Sequence, residues 1–200
     1  ESGAVDCVAI NSEQEVTYTT VDDAPAAGMC GSGLIDVLAE LFLHGIINRA
    51  AKFSDGRERF VIVPADETAH HQEIYISQRD IDNLMRTKGA VNAALEVLIE
   101  GVGCQFSDIK RFYAAGAFGQ YLHLESAVTV GLYPDLPRDR MVRLGNSSGE
   151  GARQVLLSNQ KRREGEQIAG SITYFELNSN ASFMDKYRGR SEERRVGKEC

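Results

Sequence analysis

Three glycine-rich segments, each just before a helix-forming stretch, constrain the fold of this 200-residue chain more than any other feature. They lie at residues 28–33, 116–119 and 145–151, and the last two directly follow short strand-like runs. Glycine lets the backbone turn sharply, and the N–H groups of a helix N-terminus attract anions. Strands that alternate with helices predict a layered α/β architecture, in which ligands bind where the strands end.

The other elements follow from hydrophobic periodicity. One helix follows the first glycine-rich segment and is predicted to bury Leu34, Leu38, Leu41, Phe42 and Ile46. Further helices are predicted at 124–131, 147–158 and 160–169. Strands are predicted at residues 4–10, 15–20, 60–63, 73–76, 110–115, 141–144 and 171–177.

The longest predicted helix begins after Ser77, which has the N-cap form with Asp80 three residues later, and ends at the glycines 101 and 103. Lys88 interrupts its apolar stripe, which consists of Ile81, Leu84, Val91, Leu95, Leu98 and Val102. An ammonium at this position must reach either solvent or an anion. Two interpretations stay open, a snorkelling side chain and a contact of Lys88 and Gly89 with a nucleotide.

The remaining acidic, histidine and cysteine residues are predicted to have structural or surface positions rather than catalytic roles. Asp36 and Glu40 stand one turn apart and are predicted to lie on a solvated helix face. The adjacent His70 and His71 are predicted to lie in an exposed loop. Cys30, between glycines, is expected to be a small buried cysteine rather than a nucleophile.

Composition and motifs exclude several classes. The net charge of −7 argues against a nucleic-acid-binding surface. No run approaches the roughly 20 apolar residues that a membrane span needs, and no signal peptide opens the chain. The four scattered cysteines predict no metal site and fit a reducing, cytoplasmic compartment. The P-loop, dinucleotide-binding and nucleophile-elbow patterns are absent.

The ends suggest a partial chain. The expected organisation is a lobe at residues 1–187 that lacks an N-terminal portion, followed by a non-native tail at residues 188–200. The charged run in that tail shows no hydrophobic periodicity, and the alternative is a natural charged tail.

Five ordered segments resemble the reductive activators of corrinoid-dependent enzymes, and together they cover nearly the whole chain. The segments are GMCGSGLID at 28–36, ISQRDI at 76–81 followed by TKGA at 87–90, AGAFG at 115–119, GLYPDLP at 131–137 and GNSSGEGA at 145–152. Gln120 and the pair Ser147-Ser148 depart mildly from the family pattern. Glu150 must point away from its turn if that turn approaches a phosphate.

The resemblance implies a partial actin-like α/β lobe of the acetate and sugar kinase/heat-shock chaperone superfamily, with a ribonuclease H-like fold. It implies ATP with Mg²⁺, a [2Fe–2S] ferredoxin-like domain in the missing N-terminal part, and the reduction of a Co(II) corrinoid protein to Co(I) for a methyltransferase system. A homodimer is also possible. The implied cofactor-binding residues are Gly31, Ser32, Gly33, Lys88, Gly89, Gly116, Ala117, Gly119, Gly145, Asn146 and Gly149; no catalytic residue is assigned.

The resemblance places the adenosine beside the turn at 116–119. The aspartate that would hold Mg²⁺ and the first phosphate loop are expected upstream, so this chain alone is not expected to hydrolyse ATP. One alternative is a non-catalytic docking module for a corrinoid or other redox partner. Another is an activator of a different redox enzyme such as a dehydratase, to which the cysteine spacing gives little support.

Overall fold

The N-terminal half is a hairpin with a helix packed against it. The computed structural model describes residues 1–193, and its first two strands are β1 (Ala4–Ile10) and β2 (Val16–Thr20). They pair antiparallel, and β3 (Gly28–Met29) adds to β1 in parallel. Helix α1 (Gly31–Leu43) packs on β1, where Leu38 and Leu41 are fully buried. The predicted strands at the N-terminus and the predicted helix that follows the first glycine-rich segment are therefore confirmed.

A second hairpin leads into the longest helix. Strands β4 (Arg59–Val63) and β5 (Ile74–Ser77) pair antiparallel, and α2 (Gln78–Gly101) follows at once. Ser77 Oγ accepts a hydrogen bond from the Asp80 backbone N–H at 3.3 Å, while Asp80 Oδ2 accepts from the Ser77 N–H at 3.0 Å. The predicted N-cap is therefore present as a reciprocal capping box.

The buried face of α2 differs from the predicted stripe. Leu98 and Val102 are 40% and 65% exposed, whereas Lys88, Gly89, Asn92, Ala93 and Val97 are buried. The Asn92 side-chain amide donates to the Gly131 carbonyl at 3.0 Å, which satisfies that polar group inside the protein. Small residues and a paired amide thus face inward, and counting apolar side chains alone could not identify this face.

The C-terminal half repeats a strand–turn–helix unit, as predicted. Strand β6 (Phe112–Ala115) leads into α3 (Gly116–Tyr121) and α4 (Leu124–Val130). Strand β7 (Met141–Gly145) leads into α5 (Ser147–Leu157) and α6 (Asn159–Ser171). The two strands pair in parallel, so their carboxyl ends lie at one edge.

The predicted strand at 171–177 is wrong. Helix α6 extends to Ser171, and Ile172 and Tyr174 are 70% and 82% exposed in an irregular segment. A β-rich run becomes a strand only where a partner strand offers its backbone, and within residues 1–193 none pairs with this segment. A helix that was not predicted, α7 (Ala181–Glu193), follows and packs along α2.

The predicted boundary between residues 187 and 188 falls inside α7, and residues 194–200 lie outside the described part of the chain. The non-native tail therefore stays a prediction. Across residues 1–193, no helix combines the length and the apolar character that crossing a membrane requires.

Candidate functional site

The second and third glycine-rich turns lie side by side because β6 and β7 are parallel. Ala115 pairs with Gly145 at the ends of these strands. Gly116 and Gly145 both have positive φ, +85° and +61°, which glycine adopts without strain. A Cβ on Gly145 would lie 3.3 Å from Oε1 of Gln120 in α3, whereas a Cβ on Gly116 would meet no atom within 4 Å. The space beside the Gly116 backbone is thus free of protein atoms.

The first glycine-rich turn meets the second from the other side. A Cβ on Gly31, the first residue of α1, would lie 2.9 Å from the Phe118 ring. Helix α3 is therefore in contact with both other turns, although the first turn lies more than 80 residues before it along the sequence. The first and third glycine-rich turns therefore both adjoin α3 in the structure.

A cavity of about 800 Å³ opens between the first two turns. The start of α1 contributes Cys30, Gly31 and Ser32, and α3 contributes Ala117, Phe118 and Tyr121. The rest of the lining comes from β1, β2, the residues that flank these strands, and the residue before α4: Glu1, Asp6, Cys7, Thr19, Thr20, Val21, Asp22, Asp23 and His123. The volume lies within the range typical of small-molecule sites, about 300–1,000 Å³.

The lining of this cavity is acidic. Four carboxylates face it, from Glu1, Asp6, Asp22 and Asp23, while its lining includes neither lysine nor arginine. Asp22 and Asp23 both have positive φ, which fixes them in a tight turn. A polyanion in this cavity would need a divalent cation to offset these charges.

Three residues that the sequence did not single out as a group meet beside the cavity. Cys7 Sγ of β1, a carboxylate oxygen of Asp36 in α1 and a ring nitrogen of His123 before α4 all lie within 4.8 Å of one another. His123 Nδ1 is 2.7 Å from Asp36 Oδ2. They are 29 and 87 residues apart along the chain, so no spacing motif could reveal them.

The prediction that Asp36 lies on a solvated face is wrong. The residue is 1% exposed, and its Oδ1 atom has no hydrogen-bond partner among the described residues. Glu40, its companion in the prediction, is half-buried and accepts from the Ile10 backbone N–H at 2.8 Å. Glu40 thus contacts β1 directly, and Asp36 lies within 4.8 Å of Cys7 in the same strand.

The two cysteines of the cavity differ in surroundings. Burial raises the pKa of the Cys7 thiol, and the negative charges of Asp36 and Asp6 raise it further. Without a metal ion, Cys7 therefore remains a protonated thiol at neutral pH. Cys30 is half-buried, with Sγ 3.0 Å from Ser32 Oγ. Among the described residues, Cys7, Cys30 and Cys104 are free cysteines.

Comparison with known proteins identifies the family of this chain. Residues 1–192 match a family profile described as the C-terminal domain of RACo, the ASKHA domain. The chain belongs to this family. The predicted fold class is thereby confirmed, and the α/β architecture is that of an ASKHA, or actin-like, domain.

Its relatives are activators of corrinoid proteins. A solved structure titled reductive activator for corrinoid,iron-sulfur protein is 38% identical with a TM-score of 0.87, and the match covers 96% of this chain and 32% of that one. The corrinoid activation enzyme RamQ of Eubacterium limosum is 28% identical over 93% of this chain and 34% of its own length. A Methanosarcina barkeri protein named [Co(II) methylated amine-specific corrinoid protein] reductase is 28% identical over 74% of this chain and 25% of its own. This ASKHA chain thus spans about a third or less of each relative.

The predicted binding residues fall into three groups in the ASKHA chain. Gly31, Ser32 and Ala117 line the cavity, and Gly33, Gly116 and Gly119 are adjacent to these along α1 and α3. Gly145, Asn146 and Gly149 form the start of α5 at the neighbouring strand end. Lys88 and Gly89 are buried in α2 and are not among the residues that line the cavity.

Contacts within the protein account for the residue type at several of these positions without a bound ligand. A Cβ on Gly33 would lie 2.5 Å from the Val5 carbonyl oxygen, so glycine lets α1 approach β1 closely. Asn146 is the N-cap of α5 and accepts from the Gly149 N–H at 2.9 Å. The Glu150 carboxylate turns along α5 to pair with Arg153 at 2.7 and 2.8 Å, which directs its charge away from the turn.

Proposed function

We propose that this chain is the ATP-binding lobe of a reductive activator that drives the reduction of an inactive Co(II) corrinoid protein to Co(I). The cavity between Gly31 and Ala117, at the meeting point of the glycine-rich turns, carries the proposal. Membership of the ASKHA family and the activities named for its relatives support it.

The residues present fit the adenosine side of a nucleotide. The cavity volume is adequate, Phe118 and Tyr121 offer exposed aromatic surface, and the backbone at Gly116 is unobstructed. The N-terminus of α1 presents backbone N–H groups at Gly31 and Ser32 without a side-chain cap from Cys30. Such groups suit a phosphate.

The four acidic side chains restrict how the phosphates bind. In a cavity with this charge, ATP binds as its Mg²⁺ complex, and we assign Mg²⁺ to the phosphate end beyond the glycine turns. ATP supplies the free energy of its hydrolysis when bound. The residues of this chain hold and orient the nucleotide, whereas the phosphate-transfer groups belong to the upstream lobe.

Lys88, Gly89 and the α5 turn have separate proposed roles. Gly145, Asn146 and Gly149 shape the strand end next to α3, and a rigid cap at Asn146 fixes the position of α5. Lys88 and Gly89, buried at the centre of α2, join the nucleotide site in the assembled protein.

The remaining parts of the proposal concern the longer protein. A [2Fe–2S] cluster in the N-terminal region would supply one electron for the reduction of Co(II) to Co(I) in the corrinoid protein of a methyltransferase system. We place this activity in the cytoplasm and propose that the protein acts as a homodimer.

Titration of this chain with Mg·ADP, Mg·ATP and adenosine tests the nucleotide claim. We expect binding without hydrolysis, and loss of binding in Ala117→Phe, which fills the cavity. The matched control is Ala169→Phe on the exposed face of α6, which should bind normally. Failure of all three ligands to bind the folded chain would overturn the proposal and favour a docking module.

The electron-transfer claim needs the protein with its upstream region. Reduction of a Co(II) corrinoid protein is followed by the absorbance of Co(I), with and without ATP. We expect Ala117→Phe to abolish the ATP-dependent part. An unchanged ATP-dependent reduction rate in this variant would show that the activity does not require the cavity.

A further inference from the structure

We propose that Cys7, Asp36 and His123 form a binding site for one divalent transition-metal ion of the zinc class. Cys7 and His123 line the cavity proposed for the nucleotide, but none of the three ligands is among the predicted nucleotide-binding residues, so the ion can be tested without nucleotide. A thiolate, a carboxylate and an imidazole are the three ligand types that zinc takes from proteins.

The geometry is close to that of a coordinated ion. The three donor atoms lie within 4.8 Å of one another. Zinc bonds of about 2.0–2.3 Å in a tetrahedron place ligand atoms roughly 3.3–3.7 Å apart. The Asp36–His123 pair, at 2.7 Å, must therefore open slightly, and the Cys7 side chain must shift by about an ångström or less.

A buried oxygen without a partner points to the same ligand. Asp36 is 1% exposed, and the Oδ1 atom of its carboxylate accepts no hydrogen bond among the described residues. Buried carboxylate oxygens are rarely left in this state, since the cost is about 1–3 kcal/mol or more for a charged group. A cation bound by Asp36 would satisfy the carboxylate.

An ion can reach the cluster from the cavity, and once bound it would have one coordination position without a protein ligand. Cys7 and His123 both line the 800 Å³ cavity, and the His123 side chain is 49% exposed. Asp36 closes the site from the protein side. Three protein ligands with a fourth position toward a cavity is the arrangement of zinc sites that bind water or a small ligand.

Two further acidic side chains near the cluster favour a bound cation, and hydrogen bonds within the protein already hold both of them in place. Asp6, next to Cys7, is hydrogen-bonded by Thr19 Oγ1 at 2.6 Å, and Glu40 is held by the Ile10 N–H. Both add negative charge near the cluster. The cavity lining contributes no lysine or arginine to oppose an ion.

The test uses the reduced chain without nucleotide. Zinc affinity is measured by competition with a chromophoric chelator, and Co²⁺ serves as the spectroscopic probe because a thiolate–Co(II) bond gives a near-ultraviolet charge-transfer band. We expect one ion per chain and this band. Cys7→Ser should remove the band and weaken zinc binding at least tenfold.

Controls separate this site from other ligands. Cys30 lines the same cavity and Cys104 is exposed, and neither belongs to the proposed site. The variants Cys30→Ser and Cys104→Ser should therefore keep the ion and the band. His70→Ala/His71→Ala removes the exposed adjacent histidines and should also change nothing. If Cys7→Ser fails to fold by circular dichroism, His123→Gln, at a half-exposed position, should show the tenfold loss.

Three results would overturn the site. One is the absence of zinc binding by the folded chain, which would make Asp36–His123 a structural pair only. A second is a Co(II) band that survives Cys7→Ser. The third is binding that follows His70 and His71 or Cys30 instead. None of these outcomes bears on Mg·ADP binding, so failure here is distinguishable from failure of the nucleotide proposal.

Discussion

His123 Nδ1 lies 2.7 Å from Asp36 Oδ2, so one half-exposed imidazole joins the segment before α4 to the buried face of α1. This contact links residues 87 positions apart. It gives a buried carboxylate one of its hydrogen bonds, and α1 and α4 pack against each other around it. Stability at this junction should therefore depend on both partners.

His123→Ala is expected to destabilise the chain by about 1–3 kcal/mol, because it leaves the Asp36 carboxylate buried without its partner. Urea denaturation with a metal chelator present measures the change. In a double-mutant cycle with Asp36→Val, the combined cost should be smaller than the sum of the single costs. Additivity within about 0.5 kcal/mol would show that the pair is not coupled.

Gly33→Ala should destabilise the chain by about 1–3 kcal/mol, since its Cβ would lie 2.5 Å from the Val5 carbonyl oxygen. Helix propensity alone predicts the opposite, a gain of about 1 kcal/mol. Thermal unfolding decides between them. Gly28→Ala is the control, because a Cβ there would meet no atom within 4 Å. A stabilised Gly33→Ala would mean that α1 does not pack this closely on β1.

Ser77→Ala should cost about 1 kcal/mol by removing the capping box at the start of α2. The expected readout is a lower urea midpoint with an unchanged m-value. Ser12→Ala, at an exposed position in the β1–β2 turn, should have little effect. Equal midpoints for the two variants would argue against a stabilising cap.

The Glu150 carboxylate should titrate with a pKa of about 2, because the side chains of Arg153 and Gln154 donate hydrogen bonds to it. Its folded pKa is below the ordinary value of 4.5, so its contribution to stability is present above pH 4.5 and is lost as the pH falls toward 2. The effect is small since the group is fully exposed. Carbon-detected NMR titration measures the pKa, and Arg153→Met should raise it toward 4.5. An unchanged pKa in this variant would contradict the pairing.

Much of the fold could be predicted because it depends on local pattern. Alternation gave the β1–β2 hairpin, the Ser77–Asp80 signature gave the start of α2, and glycine before a helix gave the two β–turn–α units. Where local preference conflicts with the surroundings, prediction failed. The run at residues 171–177 favours a strand, but residues 172–176 are irregular, and Phe175 instead contacts Gly101 of α2, where an added Cβ would lie 2.6 Å from its ring.

The sequence by itself determined the turns at Gly116 and Gly145, because the positive φ of each is a local requirement that glycine meets without strain. Tertiary structure decided which turns meet: parallel pairing of β6 with β7 joins Gly116 to Gly145, and Phe118 joins α3 to Gly31. It also decided that Asp36, on a helix that the sequence portrays as half solvated, is buried beside Cys7 and His123. Burial and proximity of distant residues arise from packing, and no local pattern encodes them.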